Sequence, residues 1–437
     1  MTSADRVVEL ELAPPSEDER YPGALAIVDR LISAGYEAYL VGGCVRDMVI
    51  GRRPRDYDIA TNAVPEVIEK LFDRTIAVGR AFGVMQAYSH ADYYEISTFR
   101  RDMTYRDGRR PEGVQFCDVV EDVARRDFTI NGLLYNTRSC QVVDYVDGLG
   151  DLNRQKIRAI GNADARFEED HLRILRAVRF STELGFGIEE ETWAAVCRFA
   201  AKLKRISAER IRDEFLKIVA SDEVIEGLVR LEEAGLIPFV LVDCCGETDR
   251  RRLAATLKIR PELGAIGRLA ALLAGTDQPD PGACSACNGA RSCLETLFPN
   301  AAVRLSRLRL SRAENLHVLT ALAAVHGLCS DESLARHVWI RLGRTDGGAD
   351  GFAIAAAQEH LNGGSDVISQ QMAALDGMSE SSVRPSLLLT GADLESFGYR
   401  PGPGFKIALY ALENGQLDGR IESRAQAENL VRSLLDT

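Results

Sequence analysis

Asp56 and Asp58 stand two residues apart, and the segment Leu40-Val41-Gly42-Gly43-Cys44-Val45-Arg46-Asp47 ends nine residues before the first of them. On a strand, residues two apart share a face, so both carboxylates reach one site while Tyr57 and Ile59 turn toward a core. Two acids so arranged suit Mg²⁺, which takes a few carboxylate oxygens and completes its shell with substrate phosphate. Gly42-Gly43 lets the backbone approach a triphosphate closely, and Arg46 is placed to pair with its oxygens. Each piece alone is common: a Gly-Gly pair is usually a turn, and Asp-x-Asp on a surface loop is usually solvated. Their order and spacing together describe nucleotidyl transfer.

Other polar residues fall into blocks further along. Glu169-Asp170-His171-Leu172-Arg173-Ile174-Leu175-Arg176-Ala177-Val178-Arg179-Phe180 reads as a helix, on which residues three apart are neighbours. Asp170 and Arg173 then present an acceptor and a donor fork side by side, able to hydrogen-bond the Watson–Crick edge of a base. The alternative is an ordinary intrahelical ion pair worth about 0.2–0.5 kcal/mol. In Arg125-Arg126-Asp127-Phe128-Thr129-Ile130-Asn131-Gly132, a carboxylate and an amide stand four residues apart as hydrogen-bonding groups. Glu95, on a strand before Ser97-Thr98-Phe99-Arg100, is a candidate third carboxylate or else the partner of a nearby arginine. Mg²⁺ held by Asp56 and Asp58 would lower the pKa of a primer 3′-OH, orient the α-phosphate and neutralise the leaving pyrophosphate. No Ser-His-Asp arrangement or Walker-type loop competes, and the six histidines show no metal-ligand spacing.

The elements that must carry these residues are legible in outline. An acidic, Pro-containing leader gives way at Tyr21 to a helical pattern reaching Ala34, then a strand from Ala38 to Val41. A helix is predicted from Pro65 to Phe72, and strands at Thr75 to Val78, Gly83 to Ser89 and Tyr93 to Phe99. After about Ile160 the pattern turns helical, with helices near 169–185, 189–203 and 207–220, the last with Ser207 as N-cap. With 437 residues, 46% of them hydrophobic, the chain can bury more than one core. No run of about 18 apolar residues and no signal-like N-terminus is found, and ten scattered cysteines fit reduced thiols, so a cytoplasmic location and no membrane are expected. The net charge of −12 argues against a uniformly RNA-binding surface, but arginines crowd the acids locally: Arg46, Arg52, Arg53 and Arg55, then Arg100, Arg101, Arg106, Arg109 and Arg110, then Arg125, Arg126, Arg173, Arg176 and Arg179.

Taken in this order, the blocks resemble the class II nucleotidyltransferase superfamily, which contains tRNA CCA-adding enzymes and bacterial poly(A) polymerases and opens with LVGGxVRD followed by D-x-DIAT. The likeness continues through the RRDFTIN block at Arg125–Asn131, a hinge-like block from Asp144 to Leu152 in which Asp147 replaces a usual glycine, and Glu169–Phe180. It covers roughly the first half of the chain. The resemblance implies an α+β protein: a polymerase-β-like mixed-sheet head over 21–158 after a flexible leader over 1–20, then an all-α neck over 159–222, body over 223–345 and tail over 346–437. It implies Asp56, Asp58 and Glu95 as catalytic acids, the first two as Mg²⁺ ligands. It implies that Gly42, Gly43, Arg46, Arg126, Asp127, Asn131, Asp170, Arg173, Arg176 and Arg179 bind the nucleotide, with Asp170 and Arg173 serving as the protein's own template for C and A. The activity implied is addition of CCA, from CTP and ATP, to the 3′ end of tRNA, with no protein partner.

Three alternatives remain. Poly(A) polymerases usually carry GRRFR followed by His where this chain reads Val78-Gly79-Arg80-Ala81-Phe82-Gly83-Val84, which favours tRNA nucleotidyl transfer. Arg100 to Gly113 looks like the full flexible loop that CC-only enzymes tend to lack, which favours full CCA addition while leaving an A-adding enzyme open. A catalytically silent RNA-binding protein has no need of acids beside a polyanion. In the second half, Gly398 to Lys406 resembles a C-terminal block of relatives, with Arg400 and Lys406 as phosphate contacts or the whole as a plain turn. Thr390 and Asp393 read as a capping box for the preceding helix. Cys284, Cys287 and Cys293 hint at zinc but lack a fourth ligand, and Thr276 to Asn300 reads as a loop. No His-Asp phosphohydrolase signature appears in this half.

Overall fold

The computed structural model describes residues 8–15, 17–103, 113–241, 246–277, 291–329, 335–364 and 366–436, with backbone only at 291–293. The chain divides into two compact units, Met1–Phe239 and Val240–Thr437. The expected flexible loop falls largely, and the Cys284–Cys287–Cys293 set wholly in its side chains, outside the described residues.

In the first unit, besides a short parallel pair at Lys156–Ile157 and Gly187–Ile188, the strands are, in chain order, β1 (Val8–Glu11), β2 (Ala38–Val41), β3 (Asp58–Thr61), β4 (Thr75–Gly79), β5 (Val84–Ser89), β6 (Asp92–Thr98), β7 (Arg100–Asp102), β8 (Val114–Phe116), β9 (Leu134–Asn136) and β10 (Gln141–Asp144). Eight of them form one mixed sheet in the order β1-β10-β9-β2-β3-β6-β5-β4, while β7 and β8 pair separately. Three registers matter for the site. Antiparallel pairing sets Val41 opposite Asp58, so the turn after β2 lies beside the carboxylate that opens β3. Parallel pairing of β3 with β6 sets Ile59 level with Ile96, which brings the preceding residues, Asp58 and Glu95, level on adjacent strands. Val41 also pairs with Leu134, bringing the segment before β9 against the same turn.

Helix α1 (Tyr21–Ser33) buries Ala24, Ile27, Val28 and Leu31, a single stripe at helical spacing, each large side chain contributing about 1.5–3 kcal/mol. After it come α2 (Gly43–Val49), α3 (Pro65–Leu71), α4 (Val119–Ala124) and α5 (Gly148–Arg154). A core of Val41, Ala60, Phe99, Val123, Leu134 and Val143 lies beneath the sheet. Asp147, at the N-terminus of α5, has φ +61°, a left-handed conformation that Asp tolerates better than most residues. Helices α6 (Ala163–Glu169), α7 (Leu172–Leu184), α8 (Glu190–Phe199), α9 (Ala208–Ala220) and α10 (Val224–Glu233) complete this unit.

Several expectations need correction. Part of the leader is ordered: Val8–Glu11, although exposed at all four side chains, pairs through its backbone with Asp144–Gln141 as the sheet's edge, and Asp18 is buried. The helix read from 169 is broken at Asp170, which is extended at φ −133° with its Oδ1 accepting from Leu172 N; α7 starts only after it. Asp competes with the helix backbone for its own hydrogen bonds, which is why a break falls there. The third helix starts after Ser207 as expected, but the serine side chain makes no capping bond.

Among its described residues the second unit consists of helices and their connections, with no strand. Helix Arg312–Cys329 packs along Asp346–Leu361, where Gly351 permits the approach: a Cβ there would lie 2.6 Å from the Ala321 carbonyl oxygen. Nearer the C-terminus, Leu389, Leu394, Ala408, Leu412, Ala427 and Val431 form a separate core. Thr390 and Asp393 do form a capping box, but for the helix that follows, Gly391–Ser396. The Thr276–Asn300 stretch is not all loop, since Arg291–Leu297 is helical. Among the described residues no helix is long and apolar enough to cross a membrane.

Candidate active site

A cavity of about 850 Å³ in the first unit is lined by Gly42, Gly43, Arg46, Asp56, Asp58, Arg126, Asp127, Asn131, Asp170, Arg173, Arg176 and Arg179. These are all the expected site residues except Glu95, which neighbours the acid pair from β6. Tyr57 and Ile59 are buried, so the acids flanking Tyr57 are turned the other way, although Asp56 lies just before β3 rather than on it.

Gly42 ends β2 at φ +77°, ψ −131°, a conformation that strains any side chain, and its N–H donates to the Leu133 carbonyl at 3.1 Å. The turn therefore sits against the Arg126–Asn131 segment, with the Arg126 guanidinium 3.6 Å from where a Gly42 Cβ would be. Arg126 and Arg125 are in turn anchored by Asp122, whose side chain is 1% exposed, at 2.9 and 2.7 Å.

Asp58 is half-buried, and its carboxyl is pushed up to about 7: burial comes first, the charges of Asp56 and Glu95 add to it, and Arg126 opposes. Cys44, enclosed on α2 beside Asp58, is likewise raised to about 12 by burial and that carboxylate. Three acids crowded together, with Arg126 opposing at Asp58 and Arg100 at Glu95, are a donor set to which a hard divalent cation would add the remaining positive charge. Among the described residues no three His, Cys, Asp or Glu side chains form a closed ligand cage. Mg²⁺ does not ask for one, since it keeps water and substrate phosphate among its ligands.

Across the cavity a chain of hydrogen bonds joins α2 to α7. Arg46 donates to Asn131 Oδ1 (2.8 Å), Asn131 to Asp127 Oδ1 (3.2 Å), and Arg176 through Nε and Nη2 to Asp127 Oδ2 (2.8 and 2.5 Å). Burial opposes the charge of Asp127, but Arg176 and Arg173, with the Phe128 N–H, outweigh it and hold the carboxyl down to about 2. Arg173, Arg176 and Arg179 fall on one stripe of α7 by their spacing of three.

Asp170 and Arg173 share the cavity wall but do not pair through their side chains. Asp170 Oδ2 takes Arg210 at 3.0 Å, while Arg173 donates to Glu169 and to the carbonyls of Arg166 and Arg125 at 2.6, 3.0 and 2.7 Å. The ordinary intrahelical pair is thus not what forms. Residues not singled out from the sequence complete the wall: Arg210, Lys217 and Phe180 line it, and buried Glu214 meets Arg179 at 2.7 Å. Glu214 left a signal, being an acid within the buried stripe Ile211, Phe215, Ile218 of α9.

A mixed sheet that presents an acid cluster to an arginine-lined cavity defines a nucleotidyltransferase head. Comparison with known proteins agrees. Residues 38–158 match the family model described as Poly A polymerase head domain, and residues 185–243 that described as Probable RNA and SrmB- binding site of polymerase A. In these segments the chain is similar to the nucleotidyltransferases that carry a Poly A polymerase head, among them bacterial CCA-adding enzymes. The CCA-adding enzyme of Leuconostoc citreum is 44% identical over 223 residues, 51% of this chain and 55% of that protein; the chain spans about half the length of such curated relatives. A Bacillus stearothermophilus CCA-adding enzyme solved in complex with CTP superposes with a TM-score of 0.72 at 27% identity, covering 95% of this chain and 98% of that one. The Thermotoga maritima CCA-adding enzyme complexed with tRNA has a TM-score of 0.61 at 17% identity over 94% of each chain, a likeness of fold.

Proposed function

We propose that this protein adds C and A nucleotides, taken from CTP and ATP, to the 3′ end of tRNA without a nucleic-acid template, using Mg²⁺. The observation that carries the reading is one cavity with two chemically distinct sides: Asp56 and Asp58, with Glu95 adjacent, and facing them the Arg46–Asn131–Asp127–Arg176 chain next to Asp170 and Arg173. Asp56 and Asp58 would hold the ion. When bound, it would acidify the RNA 3′-OH and offset charge on the departing pyrophosphate.

The chain's own residues do the rest. Arg46, Arg126 and Arg176 offer in-plane donors to phosphate oxygens. Asp127 and Asn131 present acceptor and amide groups for the ribose hydroxyls. Asp170 reads the base by exchanging its contact with Arg210 for one with the exocyclic amine that C and A share, and Arg173 donates to the adjacent ring nitrogen after releasing a backbone carbonyl. The whole-chain likeness to a CCA-adding enzyme solved with CTP supports the choice of nucleotide, and the match of residues 185–243 to a probable RNA-binding site supports an RNA substrate.

The test uses tRNA transcripts lacking CCA, ending in CC, or complete, each with CTP and ATP together and one of the two labelled, read by product length. Addition of three residues to the first, one A to the second and none to the third is expected. Action on the CC-ended tRNA alone makes the enzyme A-adding, and unlimited A on unrelated RNA makes it a poly(A) polymerase. No addition to any of them leaves a silent RNA-binding protein. Asp56→Ala and Asp58→Ala should each abolish addition with tRNA affinity nearly unchanged.

A further inference from the structure

Phe180 lies on α7 at the cavity wall, 6% exposed, and three guanidinium groups gather over its ring: Arg179 at 4.0 Å, Arg176 at 5.1 Å and Arg46 at 5.4 Å from the centroid. Two of these come from α7 itself, but Arg46 comes from α2, the helix that follows the Gly42 turn. The ring is fixed from the other side by Phe128, edge-on at 5.8 Å and 79°, which is fully buried and follows Asp127 directly.

Three like charges around one side chain repel one another, and burial together with Arg176 already pushes Arg179 below its ordinary pKa. Asp127 holds Arg176, and Asn131 with Asp47 holds Arg46, by accepting N–H bonds, which takes donors away from a ligand, while Glu214 faces Arg179 as an ion pair at 2.7 Å. An aromatic face attracts a cation through its quadrupole and uses none of the in-plane N–H groups. The ring can therefore hold the arginines together while leaving donors for an incoming anion.

We propose that Phe180 is a positioning residue for the nucleoside triphosphate, its ring gathering Arg46, Arg176 and Arg179 so that their remaining donors converge on the polyphosphate. The proposal rests on the reading of the cavity as a nucleotide site. It assigns to Phe180 a role in affinity common to all nucleotides, distinct from the choice among bases made by Asp170 and Arg173.

The experiment compares Phe180→Leu, Phe180→Met and Phe180→Tyr in the full chain. Equilibrium affinity for CTP and for ATP is measured by calorimetry in Mg²⁺, alongside nucleotide and tRNA KM values and thermal midpoints. The two aliphatic variants should bind CTP and ATP about tenfold more weakly, in equal proportion, with tRNA KM unchanged. Phe180→Tyr, which keeps the ring, should stay within about twofold of the wild type. A folded aliphatic variant with wild-type affinity overturns the proposal, as does a tyrosine variant as weak as leucine. Altered preference among bases at constant affinity overturns it too, by making Phe180 a base-reading residue. A wild-type protein that binds neither nucleotide sinks the nucleotide reading itself, whereas tight wild-type binding insensitive to Phe180→Leu sinks only this inference.

Discussion

Asp58→Asn should stabilise the metal-free protein while abolishing its chemistry. The Asp58 carboxyl is moved from its usual 3.8 to about 7, mainly by burial and by the charges of Asp56 and Glu95. The sign follows from linkage: the folded state binds the proton more tightly than the unfolded chain, so this group's contribution is most favourable below about pH 4. It is then lost as pH rises to about 7, and is level beyond that. At about 1.4 kcal/mol per pH unit the whole window sets an upper bound of about 4 kcal/mol. Water entering the open cavity screens part of this, so about 2 kcal/mol is expected, or roughly 4–8 °C in a cooperative unit of this size. Scanning calorimetry in EDTA from pH 4 to pH 8 should show the variant's advantage growing across the window. Mg²⁺ should raise the wild-type midpoint at pH 8 and leave the variant unmoved, since ligand binding stabilises only the state that holds it. A variant no more stable than wild type at pH 8 in EDTA, or a difference independent of pH, would refute the reasoning.

Three other outcomes follow from the same geometry. Asp127→Asn should lose about 2 kcal/mol at pH 7, because the carboxyl held near 2 by Arg176 contributes stability above about pH 4 that disappears as pH falls through 2; urea unfolding at pH 7 and at pH 2.5 checks it. Gly42→Ala should cost about 1–3 kcal/mol through its φ of +77° and raise the nucleotide KM, since the start of α2 and hence Arg46 must shift; thermal midpoints and initial rates measure both. Asp170→Ala or Arg173→Ala should lower discrimination against UTP and GTP by about 1–3 kcal/mol at nearly constant tRNA affinity, and misincorporation at the wild-type level would make these residues structural.

How far the site could be read beforehand depends on whether its geometry is local. The pairing of Asp56 with Asp58 follows from the two-residue period of extended chain, and Tyr57 and Ile59 are buried as that period requires. The arginine stripe Arg173, Arg176, Arg179 likewise follows from helical spacing. Glu95 is different. Its place beside Asp58 comes from parallel pairing of β3 with β6, and nothing in either segment's own composition specifies that register. The edge strand Val8–Glu11 was missed for a related reason: a four-residue strand with two apolar positions acquires its identity from β10, which lies more than a hundred residues on.

The break at Asp170 shows how a local reading can place the right residue in the wrong way. The apolar pattern on both sides is helical, and only the competition of an aspartate side chain for the Leu172 N–H interrupts it. The interruption has a chemical consequence. On a continuous helix Asp170 would sit one turn from Arg173 and the two would neutralise each other. Extended at φ −133°, Asp170 instead reaches Arg210 on α9, while Arg173 turns to Glu169 and two carbonyls. An acceptor and a donor are thereby kept apart within one cavity, each held by a partner it can exchange. A base edge that presents a donor beside an acceptor needs that separation. On the proposed reading of this site, selectivity therefore depends on the helix stopping at Asp170 as much as on the identities of the two residues.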